Sequence, residues 1–257
     1  MGWLPQSSLS SGDERSFSTH LGNLTVSFDS GRLDYSRPGF LESDEENEVQ
    51  KTILMEDVEG SVHLEFLPIY PDRPLVFALE EPLSIPEDNN GFFCVTLTLG
   101  VGIRIKQTDT LIEEILEHPR KNTYWGPPNN GILSYQVRSS VYTNPREISE
   151  ETGEEVAIVP IYYRNRRDEG DQVNKCLIPL RELDLYETEA GDLIFEVVEL
   201  SHQEEHYQEP TPIKRPPREM RQDLDLLMGG PEKADSLFDK VRNLPKMDTL
   251  TSVFMNR

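Results

Sequence analysis

The sequence predicts a mainly β fold, an antiparallel sandwich or flattened barrel of about ten strands with one short helix, then a C-terminal tail of short amphipathic helices. Three observations carry this expectation. Phe93, Val95, Leu97, Leu99, Val101, Ile103 and Ile105 fall on alternate positions, the period of a strand with one buried face. Short apolar runs separated by Gly, Pro and Asp recur up to Leu200, without the β–α–β alternation of Rossmann or TIM folds. Beyond Ser201 the chain turns Pro-rich, and its apolar residues then recur at helical spacing.

In chain order, residues 1–15 are Ser- and Gly-rich and read as a disordered N-terminus. Residues 16–200 read as one acidic β domain. Its first hairpin joins Leu24–Phe28 to Arg32–Tyr35 through Asp29, Ser30 and Gly31, with Asp and Gly where positive φ is wanted. Ser43–Glu48 is an acidic loop, and Thr52–Met55 and Ser61–Tyr70 flank a turn at Glu59 and Gly60. Pro68, Pro71 and Pro74 mark a sheet edge or a crossing between sheets. The Phe93–Lys106 strand contains Gly100 and Gly102, which leave room for a bend. Thr110 and Glu113 form a capping box, Leu111, Ile112, Ile115 and Leu116 make a stripe, and Pro119 ends the one helix expected in the body. Further strands are read at Ile132–Tyr142, Glu155–Tyr163, Lys175–Leu180 and Leu193–Leu200.

Residues 201–218 read as a Pro-rich polar linker and 219–257 as an amphipathic helical tail. Leu224, Leu227 and Met228 form one apolar stripe; Leu237, Phe238 and Val241 form a second. Helices this short do not hold alone in water, so these six residues are the candidate partner-binding set. Lys214, Arg215, Arg218 and Arg221 precede them as a basic steering patch.

The chain has 257 residues and a formal charge of −22. Residues 201–257 carry ten acids and nine bases, so nearly all of the acid excess lies in the body. A chain so acidic does not suit nucleic acid, whose phosphates need clustered Lys and Arg. No apolar stretch is long enough to span a membrane. Cys94 and Cys176 sit in separate apolar runs and read as two reduced, buried thiols. The N-terminus lacks the basic and apolar regions of a signal peptide, so the expected location is the cytoplasm.

Catalytic signatures are weak. His202 and His206 fit an inverted zincin spacing with Glu205, but the segment has no apolar face and opens the linker, so no metal or other cofactor is expected. Asp168–Asp171 and Ser43–Glu48 lack the ligand order of a calcium loop. No nucleophile elbow or phosphate-binding glycine loop is present. Tyr124 and Trp125, with Tyr135 and Tyr142 nearby in sequence, are a candidate ligand platform or an aromatic corner of the core.

Pro68-Ile69-Tyr70-Pro71 with Pro74, the long alternating strand, and Tyr124-Trp125-Gly126-Pro127-Pro128-Asn129-Asn130-Gly131 before a further strand together resemble an archaeal family, domain of unknown function 432, over residues 20 to 200 or so. The resemblance implies an archaeal cytosolic β protein, leaves the tail outside, and supplies no catalytic residues. It also implies a membrane-protein partner such as a mechanosensitive channel. The expected function is a non-enzymatic interaction or regulatory module whose tail docks on its own body, on a sister subunit or on a partner. The alternatives are a small-ligand or carbohydrate binder using Tyr124 and Trp125, and an unrecognised hydrolase.

Overall fold

Leu24, Val26 and Phe28 alternate with polar residues, as do Leu33 and Tyr35 after the turn, and both sets are buried on one face of a hairpin. A computed structural model describes residues 7–19, 21–39, 48–55, 60–116, 121–126, 131–143, 148, 156–189, 191–202, 208–212 and 224–228. Its first strands are β1 (Ser7–Ser10), β2 (Asp13–Thr19), β3 (Gly22–Asp29), β4 (Arg32–Pro38), β5 (Glu48–Leu54) and β6 (Ser61–Ile69). The segment read as a disordered N-terminus therefore carries β1 and the start of β2: Leu9 is buried, and β1 pairs with β6 from Ser7 to Ser10. In the β3–β4 turn, Ser30 and Gly31 take positive φ, so Ser30 occupies the place expected of Asp29.

The chain continues through β7 (Leu75–Ile85), β8 (Asn90–Thr98), β9 (Gly100–Ile105), β10 (Thr110–Ile115), β11 (Lys121–Trp125) and β12 (Ile132–Ser139). It ends with β13 (Val156–Asn165), β14 (Asp171–Ile178), a 3-10 turn at Leu180–Glu182, β15 (Leu185–Thr188), β16 (Leu193–Phe195), β17 (Val198–His202), β18 (Gln208–Pro212) and β19 (Leu224–Met228). The chain is mainly β, and among the described residues its strands make four sheets, none closed into a barrel.

In the first lobe, the meander β2-β3-β4-β5 faces β1-β6-β9-β10. Their shared core holds Leu9, Val26, Phe28, Leu33, Leu64, Val101 and Ile103 among others. In the second lobe, β11-β12-β7-β14 faces the sheet built on β13. There β8 pairs with one edge of β13, while β16 and β17 run parallel to the other. Among the described residues, this second core includes Phe77, Phe93, Val95, Leu99, Val159, Tyr163, Leu193 and Phe195.

The alternating Phe93–Lys106 run is two strands in two lobes. Phe93, Val95, Leu97 and Leu99 enter the second core; Val101, Ile103 and Ile105 enter the first. The alternation survives the crossing because Gly100 and Gly102 let the backbone pass close to its neighbours. A Cβ at Gly100 would lie 2.7 Å from the Ile115 carbonyl oxygen and 2.8 Å from the Leu116 side chain. Gly100→Ala is therefore expected to cost about 1–3 kcal/mol through overpacking. Gly170→Ala, which meets only ordinary contact at 3.7 Å, should stay within about 0.5 kcal/mol. Denaturant melts of the two variants test the contrast; equal midpoints would show that the crossing has slack.

The helix expected after Thr110 is a strand. β10 pairs antiparallel with β9, and the register shifts between Leu111 and Glu113. That bulge places Ile112 and Ile115 on the buried side, three residues apart, and leaves Leu111 outside, so it mimics a helical stripe. Glu113 does not cap a helix; it pairs with Arg37 and Lys51.

The tail also departs from expectation. Leu224–Met228 is not helical: β19 pairs antiparallel with β15 and extends the fourth sheet. A five-residue helix gains too few hydrogen bonds to persist, whereas β15 offers a row of backbone donors and acceptors. The Pro-rich linker likewise contains β18, which pairs with β17 from Gln208 to Pro212. The stripe Leu237, Phe238 and Val241 and the basic residues Lys214, Arg215, Arg218 and Arg221 lie outside the described residues.

Candidate functional site

The edge formed by β19 is built from β15 outward. Leu185 is buried in the second core, so the next residue, Tyr186, faces the opposite side of the sheet. Antiparallel pairing sets Leu224 against Thr188, Asp225 against Glu187, Leu226 against Tyr186 and Met228 against Leu185. The register shift leaves Leu227 as the extra, bulged residue. Leu226 is 59% exposed and Leu227 38%, while Leu224 is half-buried. β19 ends this sheet among the described residues.

Of the candidate partner-binding residues, the structure thus brings Leu224, Leu227 and Met228 onto one edge strand. It adds Leu226, which a helical reading places off the apolar face. Leu224 and Leu226 share the strand period, but the bulge at Leu227 sets Met228 against Leu185, so the period breaks there and the sequence alone does not single Leu226 out.

Acidic groups surround this edge. Asp225 and Glu189 are exposed, and Glu187 stands across from Asp225. Glu196, only 1% exposed, donates its backbone N–H to the Asp184 carbonyl at 2.9 Å. Burial, followed by the charges of Asp184 and Glu196, raises the Tyr186 hydroxyl above its ordinary value. Tyr70, packed against Phe195 with ring centroids 5.6 Å apart, is raised by burial and then by Asp184.

The aromatic candidates do not form one platform. Tyr124 and Trp125 are consecutive on β11, so they point to opposite faces. Tyr124 is 70% exposed and shares its face with Asn122 and Tyr135. Arg73 lies over the Tyr135 ring, 5.0 Å from its centroid, and donates to Asn122 Oδ1 at 2.9 Å. Trp125 is half-buried on the other side, and Tyr142 bridges to Cys94 in the fourth sheet.

Polar groups that resemble catalytic parts hold the fold. The Tyr163 hydroxyl donates to Asp171, which removes that carboxylate from a free acidic loop. Asn165 Nδ2 donates to the carbonyls of Ile85, Pro86 and Glu169, tying the β7–β8 turn to the end of β13. Cys94 and Cys176 are both buried and form no disulfide, and burial pushes the Cys176 thiol up, away from the thiolate a nucleophile needs. His202 sits at the end of β17 opposite Gln208, and His206 lies outside the described residues. Among the described residues, no group of three or more His, Cys, Asp and Glu side chains is placed to hold a metal ion, and no helix is long and apolar enough to cross a membrane.

Neither the curated proteins nor the solved structures provide a match to the chain. One family does match, under the description Protein of unknown function (DUF432), over residues 8–240. The match is wider than the resemblance first drawn over residues 20 to 200: it takes in most of β1, the Pro-rich segment, β19, and Leu237 and Phe238 of the second stripe, and stops just before Val241. With the greater part of its length matched, from the first strand into the tail, the chain belongs to the DUF432 family.

Proposed function

We propose that the protein is a non-enzymatic interaction module, an acidic β body whose tail strand supplies the contact surface. The observation that carries this reading is the placement of β19. The last described strand docks on the body through four paired residues and keeps Leu226 and Leu227 exposed beside them. Edge strands are often blunted by Lys or Pro; this one is short and bulged and carries Asp225, but three of its five residues are leucine. A cytoplasmic location belongs to the same reading and is supported by two buried cysteines that form no disulfide.

The test is a paired comparison. Leu226→Asp with Leu227→Asp alters exposed positions, so each change should move stability by no more than about 0.5 kcal/mol. The tagged full-length protein and this double variant are purified side by side from the native cell. A stoichiometric companion present with the first and absent with the second is expected, together with slowed hydrogen exchange at residues 224–228 in the complex. The same companions on both proteins, with unchanged exchange, would overturn the reading.

A further inference from the structure

A row of side chains runs across the outer face of the fourth sheet and stops at β19. Thr96 on β8 is in register with Ile158 on β13, Ile158 with Ile194 on β16, Ile194 with Tyr186 on β15, and Tyr186 with Leu226. Ile158 and Ile194 are buried in a small cluster with Cys94 and Ile148, against which Tyr142 packs. Tyr186 is half-buried, and Leu226 is the most exposed member of the row's apolar part. The apolar row is thus continuous with a buried cluster at one end and ends on an exposed leucine of β19, the last strand of this sheet among the described residues. Another strand beside β19 would extend both the row and the backbone ladder.

Charge selects the kind of strand. Asp225 is the one charged residue of β19, Glu187 stands opposite it, and Glu189 is exposed just beyond the end of β15. Like charges placed opposite each other destabilise a strand pair. A second copy would bring its own Asp225 and a body carrying the bulk of a −22 charge. A segment bearing Lys or Arg meets attraction at contact and is also steered during approach.

We propose that β19 accepts an added strand from a partner protein: an extended segment that sets an apolar side chain beside Leu226 and Lys or Arg beside Asp225. The inference rests on the reading of the protein as an interaction module and names the mode and chemistry of that interaction. Main-chain hydrogen bonds supply affinity in strand addition, and alternate side chains supply specificity.

The test uses the full-length protein and a labelled peptide of roughly nine residues alternating Val and Lys, followed by fluorescence anisotropy. Two comparison peptides separate the contributions. One alternates Val and Glu. The other keeps the Val/Lys sequence but carries N-methyl groups on alternate amides, which removes strand pairing and retains charge. The Val/Lys peptide is expected to bind at least about tenfold tighter than either, and Leu226→Asp to weaken it by about tenfold or more with an unchanged melting midpoint. Equal affinity for the N-methylated peptide would reduce the interaction to charge and overturn strand addition. So would unaltered binding to Leu226→Asp. A dimer in sedimentation that Leu226→Asp dissolves and the peptide does not displace would assign the edge to a second copy instead, which also overturns the proposal. Each of these results leaves intact the wider reading, whose own test is a companion lost with Leu226 and Leu227.

Discussion

Leu99→Asp is expected to unfold the second lobe. Leu99 is buried in the core that also holds Phe93, Val95, Val159 and Phe195. It is also the last residue before Gly100, where the chain crosses into the first lobe. Truncation alone, Leu99→Ala, should cost about 2–5 kcal/mol, from lost transfer energy and the cavity left behind. A carboxylate adds the cost of placing an unpaired charge in an apolar site, several kcal/mol more, unless it takes up a proton. Domains are stable by only about 5–15 kcal/mol, so the sum removes most or all of the margin. Hydrogen exchange is the direct readout, because amides of β8 and β13 should lose protection together. Leu99→Met conserves volume and should cost less than about 1.5 kcal/mol. An Asp variant that melts with the wild-type protein would show that Leu99 lies in contact with solvent.

The same residue shows how much of the fold was legible in the sequence. Alternation from Phe93 to Ile105 correctly identifies strand and buried face, because each odd residue is buried whichever lobe it serves. Division into two lobes is not visible there. It emerges only from the tertiary packing of the two cores; Ile69, Ile115 and Leu116, which crowd Gly100 and Gly102, come from separate parts of the chain. The hairpin at Asp29–Arg32 was readable because its turn chemistry is local. The two strands that read as helices, β10 and β19, share one origin, a β-bulge. In β10 it puts buried isoleucines three residues apart; in β19 it inserts Leu227 between residues that pair with consecutive positions of β15. A strand with one extra residue imitates helical spacing, and only the partner strand reveals the difference. The proposed edge was half legible for the same reason. Leu224, Leu227 and Met228 stand out in the sequence by apolarity, while the exposure of Leu226 depends on pairing with β15. Tyr124 and Trp125 fell to the opposite error, since neighbours in sequence on a strand are divided between two faces.

Arg37→Ala is expected to destabilise the first lobe by up to about 3–5 kcal/mol, the usual cost of breaking a buried ion pair, because Glu113 then keeps only the more exposed Lys51 as its cationic partner. Arg37 on β4 and Glu113 on β10 join its two sheets, with side chains only 3% and 9% exposed. The guanidinium donates from Nε to Glu113 Oε2 at 3.0 Å and from Nη2 to Oε1 at 3.2 Å. Lys51 on β5 adds a third contact, its Nζ 3.2 Å from Glu113 Oε1 and 3.0 Å from the Ile112 carbonyl oxygen to which it donates. The Tyr35 hydroxyl is buried beside the same carboxylate, and burial followed by Glu113 raises it. For Glu113, burial pushes the carboxyl up, but the Arg37 hydrogen bonds, the Tyr35 hydroxyl and the charges of Lys51 and Arg37 outweigh it and hold the group below its ordinary 4.5. A carboxylate depressed on folding contributes stability that is fully present above its unfolded value and is lost as pH falls through the folded one. The lobe should therefore weaken below pH 4.5, and Glu113→Gln should remove that part of the acid sensitivity while lowering stability at neutral pH. The Arg37→Met, Glu113→Leu double variant should recover much of the single-variant loss, because no buried charge is left behind. Hydrogen exchange of β3 and β4 amides, measured beside β13 as an internal reference, separates this lobe from the other. Arg37→Ala costing under about 1 kcal/mol would place the pair among solvent-screened surface bridges and remove the clamp between the two sheets.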